Sequence, residues 1–357
     1  WVRRLGPLAN VIQPRRAFFP LRVAIAKVTK SITKTHNTDP AWIPAKFLPF
    51  FRPAEDMKPI HEPGALGTTS IFDLCRSNGL RFHYLANPEN GDDDLVYKSL
   101  VRELRASAPY DLFVAQISVT DNEGHTHGPF SNEIQKTHLR GLDERLASIH
   151  AALVAGYDSW DLFVCGDHGM APVERKVNVL RTLAQLDVKP AKDYVVFVNS
   201  TLVVFWYLTE KGRTLIEAAL PGIAGAHVVE PDERRRLRVP TDKASGDRML
   251  AADPGVLFWP DYFHVTDSKI RGMHGYFDKS QETHGTAILV SSDGESTPRK
   301  VGLRPLVDVF PTLCDLLGIP VPPGQEGASL VRITRAHEPS TPIADHLAWV
   351  AVETPHV

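Results

Sequence analysis

The chain has 357 residues, 43% of them hydrophobic and 23% charged, with a formal net charge of −2. That length can bury a core large enough for a main domain with an inserted lobe, and the near-neutral balance argues against a nucleic-acid scaffold or a polybasic membrane protein. No apolar run approaches the ~20 residues of a membrane-spanning helix; Ala17–Ala26, the nearest, is broken by Pro20 and Arg22. Cys75, Cys165 and Cys314 are few and widely spaced, and the last two sit inside apolar runs, so reduced core thiols are expected rather than a disulfide framework. Scarce cysteine favours a cytoplasmic compartment, with a removed signal peptide left open.

Residues 1–50 are apolar and basic (Arg3, Arg4, Arg15, Arg16, Arg22, Lys27, Lys30, Lys34). They read as a solvated surface helix, with a membrane- or anion-facing helix as the alternative. Six prolines between 36 and 70 read as an extended wrapping loop. An α/β rhythm then begins. A helix is expected over 70–78, a strand over 81–86 and a turn at Asn87–Gly91. Val96, Leu100 and Leu104 recur at helical spacing, so a helix is expected over about 93–106. A strand over 111–119 follows. Ser131 is a good N-cap for a long helix over 131–155, whose stripe is Leu139, Leu142, Leu146, Ile149 and Leu153. The apolar run Leu162–Cys165 suits a strand buried on both faces of a parallel sheet. A short helix is expected near 177–187.

Residues 191–270 have a different texture and read as an inserted lobe or sheet extension. YVVFV at 194–198 and LVVFWY at 202–207 are strand-like, with Asn199-Ser200 between them. A helix over 209–220 and a strand over 255–259 complete the lobe. The core resumes over 271–330 with a strand at 286–290 and a helix at 310–317, ended by Gly318 and the prolines after it. Residues 331–357 read as a tail. The division expected is therefore 1–70, 71–190, 191–270, 271–330 and 331–357.

Two of these strands end in clusters of metal-binding side chains. The 111–119 run leads into Asp121 and His125, four apart around Gly124. A helical turn puts that pair on one face, and a glycine loop permits the same convergence. The 161–165 run ends in Gly166-Asp167-His168-Gly169. A further glycine-flanked histidine, His274, lies in RGMHGY. Carboxylate oxygen and imidazole nitrogen together suit a borderline cation such as zinc. His127 and His284 are weaker candidates: His127 reads as a solvated histidine, and His284 competes with His274.

TDNEGHTHGP, GDHGM and GMHGY, in that order, resemble the alkaline phosphatase superfamily, most closely its type I phosphodiesterase and nucleotide pyrophosphatase branch. LVDVFPTLCDLLGIPVPPGQEGASL at 306–330 resembles the superfamily's closing helix and loop. The resemblance spans roughly residues 70–330. It implies an α/β fold with a mostly parallel central sheet flanked by helices; the inserted lobe reads either as shaping a substrate pocket or as extra core strands with no substrate contact. It implies two divalent cations, zinc or alternatively manganese, one on Asp121, His125 and His274 and the other on Asp167 and His168. The implied partner is a small phosphate ester or nucleotide. A phosphomonoesterase, a phosphonate hydrolase or a mutase on the same fold is the alternative.

The family also places an Asp ligand and a Thr or Ser nucleophile nearer the N-terminus. Residues 1–70 hold no convincing match; Thr33, Thr35, Thr68, Thr69 and Ser70 qualify only as hydroxyls. The sequence starts at Trp1, and the expectation is that it begins downstream of the nucleophile. In that case the chain alone is a metal-binding module without turnover.

Overall fold

The computed structural model describes residues 24, 43–44, 46–51, 59–86, 91–264, 270–277, 284–293, 300–332 and 350–353. The basic N-terminal segment lies almost wholly outside them, and 46–51 carries only a short 3-10 turn, Leu48–Phe50. The chain forms two compact units. One combines residues within 59–171 and 279–355, and the other is built mainly from 172–278.

The first unit opens with α1 (Ile71–Ser77). Ser70 accepts from the Asp73 amide and Asp73 accepts from the Ser70 amide, a reciprocal capping box that fixes where the helix starts. β1 (Phe82–Leu85) follows. α2 (Asp93–Arg105) is capped by the Asp92 carboxylate on the Leu95 amide. β2 (Leu112–Ala115) pairs in parallel with β1, Phe82 beside Leu112. The expected strand to residue 119 is shorter, because the chain turns helical at Val119 to form α3 (Val119–His127).

A five-residue π-helical turn, Ile134–His138, then leads into α4 (Leu139–Gly156). Ser131 plays the expected capping role, its hydroxyl accepting from the Ile134 amide. The long helix of the sequence pattern is thus present, but its first turn is wound to π geometry. Val96, Leu100, Leu104, Ile149 and Leu153 form one buried cluster with Leu85, and Leu162 and Phe113 pack against it. Leu139, the first residue of the stripe, lies beyond this cluster and is exposed.

β3 (Asp161–Cys165) carries Leu162 toward that cluster. Phe163, one residue on, packs against a second cluster of Ala287 and Leu330. Alternation along the strand thus serves two clusters, although its side chains are half-buried rather than sealed. Cys165 at its end is exposed, so it is not the core thiol expected, whereas Cys75 and Cys314 are buried; all three are free.

The other unit is organised on a four-stranded antiparallel sheet. β4 (Arg175–Val177) and α5 (Val179–Ala184) lead into it. Its strands are β5 (Tyr194–Val198), β6 (Leu202–Tyr207), β7 (Ala226–Val228) and β8 (Arg248–Ala252), in the order β5-β6-β8-β7. α6 (Glu210–Ala219) starts at Thr209, which accepts from the Gly212 amide, and α7 (Pro231–Arg236) takes the charged stretch. β9 (Val256–Phe258) pairs in parallel with β4.

The chain then returns to the first unit. β10 (Gly285–Ser291) runs antiparallel to β3, with Ala287 beside Cys165. β11 (Gly302–Pro305), α8 (Val309–Leu316) and a strand inside the expected tail, β12 (Val350–Glu353), complete it. β12 lies between β10 and β11. Among the described residues no helix is long and apolar enough to cross a membrane.

Candidate metal centre

Asp121 lies in the first turn of α3 and His125 one turn later, so the helical period aligns them; His125 Nε2 is 3.3 Å from Asp121 Oδ1. The start of α3 is held from outside the helix, since the Ser118 amide donates to Asp93 Oδ2 at 2.8 Å. The carboxylate at the head of α2 therefore sets the position of the helix bearing the first two donors.

His168 follows β3, and its Nε2 lies 3.9 Å from the same oxygen, Asp121 Oδ1. Its Nδ1 lies 2.9 Å from Gly169 O, a hydrogen bond that only a protonated Nδ1 can make. In the neutral ring, a proton on Nδ1 leaves the lone pair on Nε2, the atom that lies 3.9 Å from Asp121 Oδ1. Histidine metal ligands are commonly oriented in this way, by a carbonyl on the second nitrogen. Gly124 permits the approach: a β-carbon there would meet Met170 Sδ at 2.6 Å, so the bare backbone lets α3 lie against the end of the GDHGM segment.

Asp167 Oδ2 lies 3.6 Å from His168 Nε2, with the Asp167 side chain open to solvent. The structure thus brings Asp121, His125, Asp167 and His168 together within one unit. One oxygen faced by two imidazole nitrogens is a donor set that fits a borderline divalent cation.

His274 belongs to the other unit. It is half-buried, and its neighbour Gly275 is fixed by the Thr201 hydroxyl, which donates to Gly275 O at 2.9 Å. His284 belongs to the first unit, immediately before β10. The antiparallel register, continued by the Gly166 amide donating to Thr286 O at 2.8 Å, carries the chain at His284 toward the backbone of His168. His127 is exposed, as expected of a solvated histidine, and its Nε2 lies 3.2 Å from Glu123 Oε2. Glu123 and His138 were not singled out by the sequence. The one available signal is that Glu123 and His127 repeat the four-residue spacing of Asp121 and His125.

The chain shares its α/β fold with solved structures of known proteins. Human ectonucleotide pyrophosphatase/phosphodiesterase 5 matches with a TM-score of 0.59 at 18% identity, covering 73% of this chain and 72% of that one. The murine protein matches with a TM-score of 0.58 at 19% identity, covering 73% of each chain. An inactive variant of the murine protein in complex with AMP matches with a TM-score of 0.56 at 19% identity, over 73% of this chain and 72% of that one. No curated protein sequence matches. The sequence model of the type I phosphodiesterase / nucleotide pyrophosphatase family matches residues 75–277, and the chain belongs to that family. Its reaction class is accordingly phosphate ester hydrolysis.

Proposed function

We propose that this chain carries the metal centre of a phosphodiesterase or nucleotide pyrophosphatase that works with two divalent cations, zinc or manganese. Of the residues that the family resemblance implies, Asp121 and His125 are assigned to one cation and Asp167 and His168 to the other. The observation supporting the reading is the convergence of His125 Nε2 and His168 Nε2 on Asp121 Oδ1, at 3.3 and 3.9 Å. Bound cations would supply charge neutralisation for the phosphoryl group and a lowered pKa for the attacking hydroxyl.

The chain's own groups have separable tasks. Asp121 Oδ1 offers negative charge on the helix face shared with His125. Gly169 O holds the His168 proton on Nδ1, so the ring presents Nε2 as a donor. Asp167, open to solvent, keeps a carboxylate at the mouth of the cluster. The nucleophile called for by the family resemblance is a Thr or Ser, and no residue of this chain is assigned to it. A small nucleotide or phosphodiester is the proposed substrate, consistent with AMP bound to the inactive murine relative.

The test is hydrolysis of bis-p-nitrophenyl phosphate and p-nitrophenyl phosphate by the zinc-loaded chain, beside its Asp121→Ala variant. Diester turnover that falls at least ~100-fold in the variant supports the proposal. Preferential turnover of the monoester shifts the assignment to a phosphomonoesterase. Bound zinc with turnover of neither ester overturns the enzyme reading for this chain and leaves a metal-binding module.

A further inference from the structure

Positions two apart on an α-helix point about 200° away from each other. Glu123 and His127 therefore occupy the face of α3 opposite Asp121 and His125. The π-helical turn delivers His138 to that second face. His127 Nε2 lies 3.2 Å and His138 Nε2 3.6 Å from the same oxygen, Glu123 Oε2. One donor atom from each of the three residues falls within 4.8 Å of the others. The two imidazole rings lie nearly parallel, tilted by 26° with centroids 6.2 Å apart. Glu133 Oε1, 3.7 Å from His138 Nε2, supplies a further carboxylate at the rim.

We propose that Glu123, His127 and His138 form a third metal site, separate from the centre on the other face of α3, which takes a single borderline divalent cation such as zinc.

The distances have the scale of a ligand shell. A tetrahedral ion with bonds of about 2.0–2.1 Å spaces its donors about 3.3 Å apart. Charge-assisted N–H···O bonds are shorter, about 2.7–2.9 Å, so neither histidine has closed onto Glu123 as a good ion pair would. Two imidazoles and one carboxylate leave a fourth position for water, and they match zinc better than the hard cations magnesium and calcium, which favour all-oxygen shells.

The backbone adds an independent indication. The Leu139 amide donates to Ile134 O, five residues back, in place of the usual four. Such π turns are rare and occur frequently at functional sites. Here the inserted residue falls within the turn that ends at His138. A cation in this cluster would tie the end of α3 to the π turn across residues 128–133. The connection would then be clamped beneath the helix that presents Asp121 and His125.

Cobalt(II) tests the proposal, because its visible absorption reports a tetrahedral or five-coordinate nitrogen-containing shell. The full chain, stripped with chelator, is titrated in an Asp121→Ala/His168→Ala background that disables the other face. The expected result is one cobalt taken up with visible d–d bands. Glu123→Gln and His138→Gln, each added to that background, should weaken uptake at least ~10-fold with an unchanged far-UV circular dichroism spectrum. No uptake by the background chain, or uptake indifferent to both added substitutions, overturns the proposal. Should the background chain fold poorly, the same question is put to the otherwise unaltered chain. His127→Gln/His138→Gln must then lower the bound metal by one equivalent, and an unchanged count refutes the site. Neither failure touches the ester-hydrolysis reading, which is scored on Asp121→Ala turnover.

Discussion

Asp121 and His168 are within 4 Å of each other, yet their removal should not be equivalent. Asp121 Oδ1 is the atom on which both His125 and His168 converge. Losing it removes the carboxylate that the two imidazoles share and leaves His168 beside the solvent-exposed Asp167, whereas losing His168 leaves the Asp121–His125 pair on α3 intact. Asp121→Ala should therefore weaken tight zinc binding at least ~10-fold more than His168→Ala. Equilibrium dialysis of both variants, in chains that also carry His138→Gln, checks this ranking; the reverse order would reassign the ligands. A second residue-scale prediction concerns Glu217. Burial alone would raise its carboxyl, but the Arg248 guanidinium and the Tyr207 hydroxyl hold it below the ordinary 4.5. Arg248 Nε lies 2.9 Å from both carboxylate oxygens and Nη2 2.7 Å from one. A depressed folded pKa gives stability that is present above the unfolded value and lost as pH falls through the folded one. Glu217→Gln should cost about 1 kcal/mol at pH 7, the solvent-exposed fraction of the pair limiting the effect. In urea titrations the gap from the parent chain should close as pH falls below the ordinary carboxylate value.

At the scale of elements, helix propensity and close packing can be set against each other at two glycines. Gly141 lies inside α4, and a β-carbon there meets nothing within 4 Å. Gly141→Ala should stabilise by about 0.5–1 kcal/mol, since only the entropic cost of glycine is removed. Gly212 lies near the start of α6, where a β-carbon would come within 2.3 Å of Asp193 O and 3.0 Å of its carbonyl carbon. That carbonyl already accepts from the amides of Leu208 and Thr209, so it is held in place by the turn entering the helix. Overpacking against fixed backbone costs about 1–3 kcal/mol, more than the propensity gain, and Gly212→Ala should destabilise. Thermal melts of the two variants should move in opposite directions. The same scale shows what periodicity could and could not reveal. The stripe over Val96, Leu100 and Leu104 is legible because one face of α2 is buried and the other is wet. The strand Arg248–Ala252 is not, because four of its five side chains are buried and its composition, RMLAA, lacks β-branched residues. Its strand state comes from pairing with β6 and β7, a tertiary decision that local propensity does not contain. The π turn is equally silent, because a one-residue insertion into a helix leaves the apolar stripe on either side in place.

Across the whole molecule, the donors lie far apart in sequence and the fold must be complete before they meet. Asp121 and His125 follow β2, while Asp167 and His168 follow β3, which is paired by β10 from beyond residue 284. The sequence made the donors legible because each cluster is short, glycine-flanked and placed at a strand end. For the second face of α3 it offered only the four-residue spacing of Glu123 and His127, and it could not reveal His138, which lies fifteen residues from Glu123 and joins them through the π turn. A cation that binds this assembly and not the unfolded chain must stabilise it, by about 2.7 kcal/mol at a free concentration one hundred times the dissociation constant. Zinc should therefore raise the unfolding temperature of the unit formed by residues within 59–171 and 279–355, and chelator should lower it. The two faces of α3 predict how that shift divides. Asp121→Ala/His168→Ala should remove one part and His138→Gln another, and the chain combining all three should unfold at a temperature indifferent to zinc. Because the substituted groups serve different ions, their effects on the zinc-dependent shift should add to within about 0.5 kcal/mol. Calorimetric melts of the four chains, with and without zinc, give the outcome directly. A zinc response that survives in the combined variant would mean that the stabilising cation sits on residues outside both proposed centres.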